Sequence, residues 1–360
     1  MNLLSQYNSS VFDQLRLKQD TLADKAVEAL ISQPNLASEI NSWLVIPAKL
    51  PGYFPEELLL YFEFYHYKEK EFSEGEHRLA QEFFEQKGDM YLAVLGFYSL
   101  PYCYAFAAGA QVLIRSQRIL NQIGERLGET TRFVLDIFKP GAFTSQDEAF
   151  LTCAKVRLIH AYSRYFIRTY ARDWDPAFGQ PINQEDLLGT NLAFSHIVLR
   201  GMTKIGMTPS QKEHQAVLGY WKWIGELMGV ETELWPNSPK EAFELDRLIR
   251  KRHLKASEAG KKLTRALLEF YQKNIPDSFL TSQLEPLLAY FLGKEASKAV
   301  GISGQTQVPG DILGIFLKFS GFKTFGAVKN HESLKKNLER QQIQQFGRVL
   351  QLNLPELNRS

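Results

Sequence analysis

A chain of 360 residues with 44% hydrophobic side chains is long enough for one large domain or two ordinary ones, each with a substantial core. A formal net charge of +2, with Lys and Arg scattered along the chain, gives no electrostatic basis for nucleic-acid binding. Its two cysteines, Cys103 and Cys153, lie far apart and outside any CxxC, which argues against a disulfide-stapled secreted protein. The first residues lack a basic stretch followed by an apolar one, so the expected location is cytoplasmic.

In chain order, Val11 to Ser42 carries Leu15, Leu22, Val27, Leu30 and Ile31 at helical spacing, with Pro34 as a break. Trp43 to Pro55 is proline-rich and irregular, and Glu56 to Lys68 is an aromatic run that reads as a buried helix. A charged patch, Lys68 to Glu76, separates this section from the main body. Met90 to Ile114 has no charged residue and is long enough to span a membrane. Gly96, Ser99, Pro101, Gly109 and Gln111 interrupt it, so the expectation is a buried helix pair divided at Leu100-Pro101. Helical periodicity runs from Val112 through Phe138, stops at Lys139-Pro140-Gly141, and returns in a stretch centred on His160. Asp173 to Pro181 reads as a loop, and Asn183-Gln-Glu-Asp186 as a capped, acidic helix start. Further helices are expected at Ser210 to Val230, Pro239 to Asn274 and Thr281 to Val300. Ile312 to Leu317 is an apolar run in a glycine-rich tail, and a polar helix closes the chain. No stretch alternates with a period of two, so the expected fold class is all-α.

The stretch around His160 carries the first candidate site. At helical spacing His160 shares a narrow stripe with Ala149, Cys153, Val156, Ile167 and Ala171, flanked by Arg157 and Arg164. The opposite side holds Leu151, Leu158, Tyr162 and Tyr165, so the helix is apolar on two faces and central. A histidine among small residues leaves room for a flat group, and the arginines could take carboxylates, as a proximal haem helix requires. The plainer alternative is a hydrogen-bonded core histidine, with arginines paired to acids elsewhere. A second candidate is Arg126 with Thr130, which project with Ile119, Phe133 and Ile137. Such buried donors need partners: either an internal salt bridge to Asp136 or Glu148, or bound oxygen or substrate. Thr190 and Asn183 form another polar spot beside Phe194 and Ile197, with His196 roughly 120° away from Thr190 at about 100° per residue. Glu74-x-x-His77 has di-iron spacing but occurs once, in a charged segment that reads as solvated surface. Nucleotide-binding, zinc-protease and nucleophile-elbow motifs are absent.

These pieces, in this order, resemble the family of rubber oxygenases (latex clearing proteins) and the mycophenolic-acid pathway oxygenase. The matching residues are Gly109-Ala110-Gln-Val-Leu, Arg126-x-x-x-Thr130, Val156-Arg157-x-x-His160-Ala161-x-x-Arg164, Gln184-Glu-Asp-Leu-Leu-Gly-Thr190 and Gly219-Tyr-Trp221-x-x-Ile224-Gly225-x-x-x-Gly229, with Pro236 after them. The resemblance covers roughly Leu79 to Pro239. It implies a globin-like, all-helical core holding one haem b, with His160 as the proximal iron ligand through Nε2. Arg126 and Thr130 would lie on the distal side and Thr190 near the cofactor, with Arg157 and Arg164 as candidates for the propionates or as support behind the ligand. The resulting division is an N-terminal helical extension over residues 1–78 packed on the core, a haem-binding core over 79–300, and a tail with a polar helix over 301–360.

Characterised relatives use O2 to cleave carbon–carbon double bonds in isoprenoid chains, so the resemblance implies a haem-dependent oxygenase acting on a hydrophobic substrate. Two departures stand out. Where rubber oxygenases can have a lysine before the distal threonine, this chain has Glu129, which helical geometry turns away from Thr130. Where the family has a glutamate proposed as catalytic base, Ala110 and Gln111 stand. A small unsaturated lipid or terpenoid fits better than an extracellular polymer, and Ile312 to Leu317 is a candidate for peripheral membrane contact. The alternatives are a non-catalytic haem-binding protein and a cofactor-free helical interaction protein.

Overall fold

The helices begin where the sequence supplies a side-chain acceptor and end where the backbone can no longer continue. The computed structural model describes residues 3–115, 122–144, 147–275, 277–303 and 330–355. The Ile312–Leu317 run lies outside them. Asp20 caps α1 (Thr21–Ser32) by accepting from the Ala23 amide, and Asp147 caps α6 (Glu148–Tyr170) through the Ala149 amide at 2.7 Å. Asn183 caps α7 (Gln184–Leu192) as the sequence predicts, its Oδ1 accepting from the Asp186 amide. Ser210 and Glu213 form a reciprocal capping box at the start of α9 (Gln211–Leu227). Among the described residues the fold is all-α, with an isolated antiparallel bridge between Phe106 and Leu254 as its extended pairing.

The uncharged Met90–Ile114 stretch is a buried helical run, but its break lies elsewhere than expected. α2 (Glu74–Val94) continues through a π-helical turn, Leu95–Ser99, directly into a short helix, Leu100–Tyr104. Pro101 follows directly on the π-helical turn, whose wider backbone accommodates a residue without an N–H inside the helical run. The chain bends at Ala105–Phe106 before α3 (Ala107–Arg115). There Lys255 donates to the Ala105 carbonyl at 3.1 Å. The predicted Pro239–Asn274 helix is likewise two, α10 (Pro239–His253) and α11 (Glu258–Asn274), because Ser257 starts a new cap. No helix among the described residues is long and apolar enough to cross a membrane.

A second π-helical turn, Ala193–Ile197, lies against the first. Ser99, fully buried, donates to the Ala193 carbonyl at 2.7 Å, and Tyr91 donates to the carbonyl of Phe194. Each turn swells a helix by one residue, a device that re-aims side chains at functional sites. Around these turns α6 runs through the centre. α1 packs along one side of it, and α4 (Glu56–Glu71) joins the same layer: Tyr61 donates to the Ala154 carbonyl at 2.7 Å and Tyr65 to that of Leu227 at 2.8 Å. α5 (Ile123–Phe138) closes the other side with the terminal helix, His331–Phe346. One apolar cluster joins residues from Phe12 to Leu354, so the N-terminal helices and the C-terminal segment are part of the same core.

Candidate functional site

A cavity of about 330 Å³ opens between α3, α5, α6, α7 and α10. Its wall is mostly apolar: Phe106, Val112, Phe133, Val156, Phe194 and Ile249 are among the lining residues. This volume falls within the roughly 300–1,000 Å³ of small-molecule sites. α6 presents Val156, Ile159, His160 and Ser163 to it; of the stripe expected around His160, Val156 lines the cavity and Cys153 and Ile167 do not.

His160 makes no hydrogen bond among the described residues, and its Nδ1 is enclosed without a partner. Nε2 is therefore the ring nitrogen left to the cavity. Burial, and then the nearby charges of Arg164 and Arg126, push the imidazole pKa down to about 4. The ring is thus neutral at neutral pH and offers a lone pair.

On the facing helix α5, Arg126, Glu129 and Thr130 all line the cavity. Arg126 finds its partner in Glu129, at 2.9 Å, rather than in Asp136 or Glu148, because positions three apart on a helix meet. Asp136 is instead taken by Arg132 at 2.7 Å, and Glu148 by Lys139. Glu129 and Thr130, adjacent in sequence and so about 100° apart on the helix, both line the cavity, which reaches that far around α5. Thr130 donates its hydroxyl proton to the Arg126 carbonyl, leaving its oxygen lone pairs available. Thr190 also lines the cavity and donates to the Asp186 carbonyl at 2.8 Å. Asn183 does not reach it; it is fully buried as the helix cap.

The cavity has a polar end that sequence reasoning missed. Glu185, Asp186 and His253 line it. Glu185 accepts from Arg252 at 2.7 Å and from His253 at 2.8 Å; although burial works the other way, these hydrogen bonds hold its pKa below the ordinary value. Burial pushes Asp186 up to about 6, partly opposed by Arg16 and His253. The signal for Glu185 and Asp186 lay inside the Gln184–Thr190 motif. They read as ordinary first-turn acids, because Arg16 and His253 come from distant parts of the chain.

Arg157 and Arg164 are placed differently from the propionate reading. Neither lines the cavity. Arg157 makes a bidentate pair with Asp20, Nε–Oδ2 2.6 Å and Nη2–Oδ1 2.8 Å, and lies over the Phe64 ring at 4.7 Å. Arg164, 1% exposed, pairs with Asp24 at 2.6 Å. Both carboxylates come from the cap and first turn of α1, so the arginines fasten α6 to the N-terminal layer. Gly229, at φ +79°, closes over the first pair: a Cβ there would meet Arg157 Nε at 2.7 Å and collide with the Asp20 carboxylate. His196 is buried against His214, Nδ1 to Nε2 3.2 Å, and stays out of the cavity. His77 lies buried between Phe72 and Trp223 rather than on a solvated surface, and no group of three or more potential metal ligands forms among the described residues.

Comparison with known proteins points to one family. The model of the ER-bound oxygenase mpaB/B′ and rubber oxygenase catalytic domain matches residues 103–317. The rubber oxygenase of Streptomyces sp. (strain K30) is 23% identical over 303 residues, covering 79% of this chain and 71% of that protein. Latex clearing protein in its closed state has the same fold at a TM-score of 0.70 and 21% identity, with 90% of this chain and 91% of that one aligned.

Proposed function

Because the chain belongs to the mpaB and rubber oxygenase catalytic-domain family, whose model covers residues 103–317, it is an oxygenase, and we propose that it uses haem b and O2 to oxidise a hydrophobic, unsaturated substrate. The observation that carries this reading is His160: a neutral imidazole without a hydrogen-bond partner, on the wall of an apolar cavity. A single histidine cannot complete an iron site alone, so the remaining ligands would come from the macrocycle. The residues fit such a group. His160 Nε2 would hold the iron, and the apolar wall would receive the porphyrin face and the substrate. Bound haem supplies the redox-active iron at which O2 chemistry takes place.

The chain's own residues then have separable tasks. Arg126, held by Glu129, and the Thr130 hydroxyl orient oxygen or substrate opposite His160. Thr190 lines the same cavity from α7 and would contact the cofactor. Arg157 and Arg164 act as positioning residues. Their ion pairs fix the rotation of α6 about its axis, and the Arg164 charge helps keep His160 unprotonated, the form that ligates metal. The lining excludes water from the reacting bond, suiting an isoprenoid, terpenoid or unsaturated lipid rather than a polar substrate. The test is a visible spectrum of the purified protein, oxidised, dithionite-reduced and CO-treated. A stoichiometric b-haem Soret band is expected. A protein that is colourless and also refuses added hemin sinks the reading.

A further inference from the structure

A second concavity, of about 580 Å³, lies beyond the wall formed by Tyr98 and Arg200. Arg200, Lys204, Arg250 and Lys294 line it, against one carboxylate, Glu295. That carboxylate is 75% exposed and is taken by Arg250 at 2.9 Å. Arg200 is anchored from behind, donating to Asp246 at 2.7 Å and to the Tyr98 hydroxyl at 2.9 Å. Lys204 donates to the carbonyls of Tyr290 and Phe291 at 3.1 and 2.8 Å, and lies over the rings of Tyr98 and Tyr290 at 5.3 and 5.4 Å. These acceptors are uncharged, so they orient the ammonium without neutralising it. Lys294 makes no ion pair among the described residues.

Arg200 and Arg250 are each matched by a carboxylate, Asp246 and Glu295. Lys204 and Lys294 are therefore the cations of this concavity that have no acid partner among the described residues, and a partly buried ammonium is ordinarily paired. The pocket's potential is visible in Lys204 itself, whose pKa is pulled down to about 8 by burial and then by the charges of Arg200 and Arg250. Convergent guanidinium and ammonium donors around one space match a multiply charged tetrahedral oxyanion better than a single carboxylate.

We propose that this pocket binds a phosphate-bearing anion on Lys204, Arg250 and Lys294. The shared chemistry is the phosphate group, which a free anion or a lipid headgroup can supply. The pocket is distinct from the His160 cavity. The two share a wall, since the Arg200 that lines the pocket holds Asp246, which lines the cavity with Tyr102.

The experiment is calorimetric titration of the full-length protein with pyrophosphate at low ionic strength. In parallel, co-sedimentation is measured with phosphatidylcholine vesicles with and without phosphatidic acid. Wild type is compared with Arg250→Ala/Lys294→Ala and with Lys294→Glu. Lys294 is exposed, so its substitution leaves folding intact, and thermal melts verify this for both variants. Saturable pyrophosphate binding weakened at least tenfold in the variants identifies the free anion. Phosphatidic-acid-dependent sedimentation lost in the variants identifies the headgroup. Equal binding of both probes by wild type and variants, or binding of neither by wild type, overturns the proposal.

Discussion

Two adjoining faces of α6 carry polar side chains and use them in opposite ways. Toward the N-terminal layer, Arg157 and Arg164 are buried and matched by Asp20 and Asp24 at 2.6 Å each. Toward the cavity, His160 has a neutral ring with no hydrogen bond and apolar neighbours. The difference teaches where this helix is rigid and where it is available. Ion pairs on one face set its rotation and depth, and that rotation delivers an unpaired nitrogen to an open space on the other. The sharpest way to break this contrast is to remove the nitrogen. His160→Ala is expected to abolish haem retention, with no Soret absorbance in purified protein, while leaving the fold intact because a solvent-sized space already lies beside it. A normal Soret band in this variant would overturn the ligand assignment.

The adjoining face should fail in the opposite manner. Asp24→Ala removes the close partner of the buried Arg164 and leaves it only the Asp20 carboxylate at 4.0 Å, and breaking a buried pair in this way typically costs about 3–5 kcal/mol. We expect a large fall in the urea midpoint, with the surviving folded fraction still binding haem. Replacing both partners by Leu and Met should restore much of the loss, because apolar groups of similar volume need no partner. If instead Arg164→Ala lost haem without losing stability, the arginine would be acting on the cofactor and the contrast between the faces would dissolve.

A smaller effect is expected within the cavity. Glu129→Gln keeps the side-chain shape but loses the charge that holds Arg126 at 2.9 Å. Haem content should be unchanged and turnover should fall about 10–100-fold, equivalent to about 1.4–2.7 kcal/mol of barrier. The measurement is O2 consumption per haem with an unsaturated isoprenoid or lipid. Unchanged turnover would show that Arg126 needs no carboxylate to be positioned.

The distribution of what was legible in the sequence follows from the same contrast. Helices, caps and the central placement of the His160 stretch were readable because they depend on spacing within about a dozen residues. His160, Arg126, Thr130 and Thr190 were readable as polar residues on apolar faces, and the structure brings all of them to one cavity. The partners of Arg157 and Arg164 were not readable, since Asp20 and Asp24 lie more than a hundred residues away and look like ordinary helix-start acids. The break in the uncharged stretch was misplaced at Pro101 because a π-helical turn has no sequence signature comparable to proline's. That Glu129 also lines the cavity was not readable, because a helical projection gives its angle from Thr130, while the breadth of a cavity depends on every neighbouring element.

The mildest test concerns another buried imidazole, outside the cavity. His196 packs against His214 and under the charge of Arg200, and its pKa is lowered to about 3 by burial first and then by those two neighbours. In the unfolded chain it takes its proton near the ordinary value of about 6.5. Below that pH the unfolded state holds a proton that the folded state refuses, so stability falls as pH drops from 6.5 toward 3. His77, His214 and His331, all lowered chiefly by burial, add to this slope. Asp186 opposes it: with its pKa raised to about 6, the folded state binds the extra proton between about pH 4 and 6, and stability is gained as pH falls through that window. Each fully buried histidine contributes at most about 1.4 kcal/mol per pH unit, so the net loss should be visible but modest. Urea midpoints at pH 6.5, 5.5 and 4.5 should decline in wild type and decline less steeply in His196→Gln. Identical slopes would mean that His196 is hydrated and protonates in the folded protein, leaving His160 as the imidazole that the fold keeps neutral beside open space.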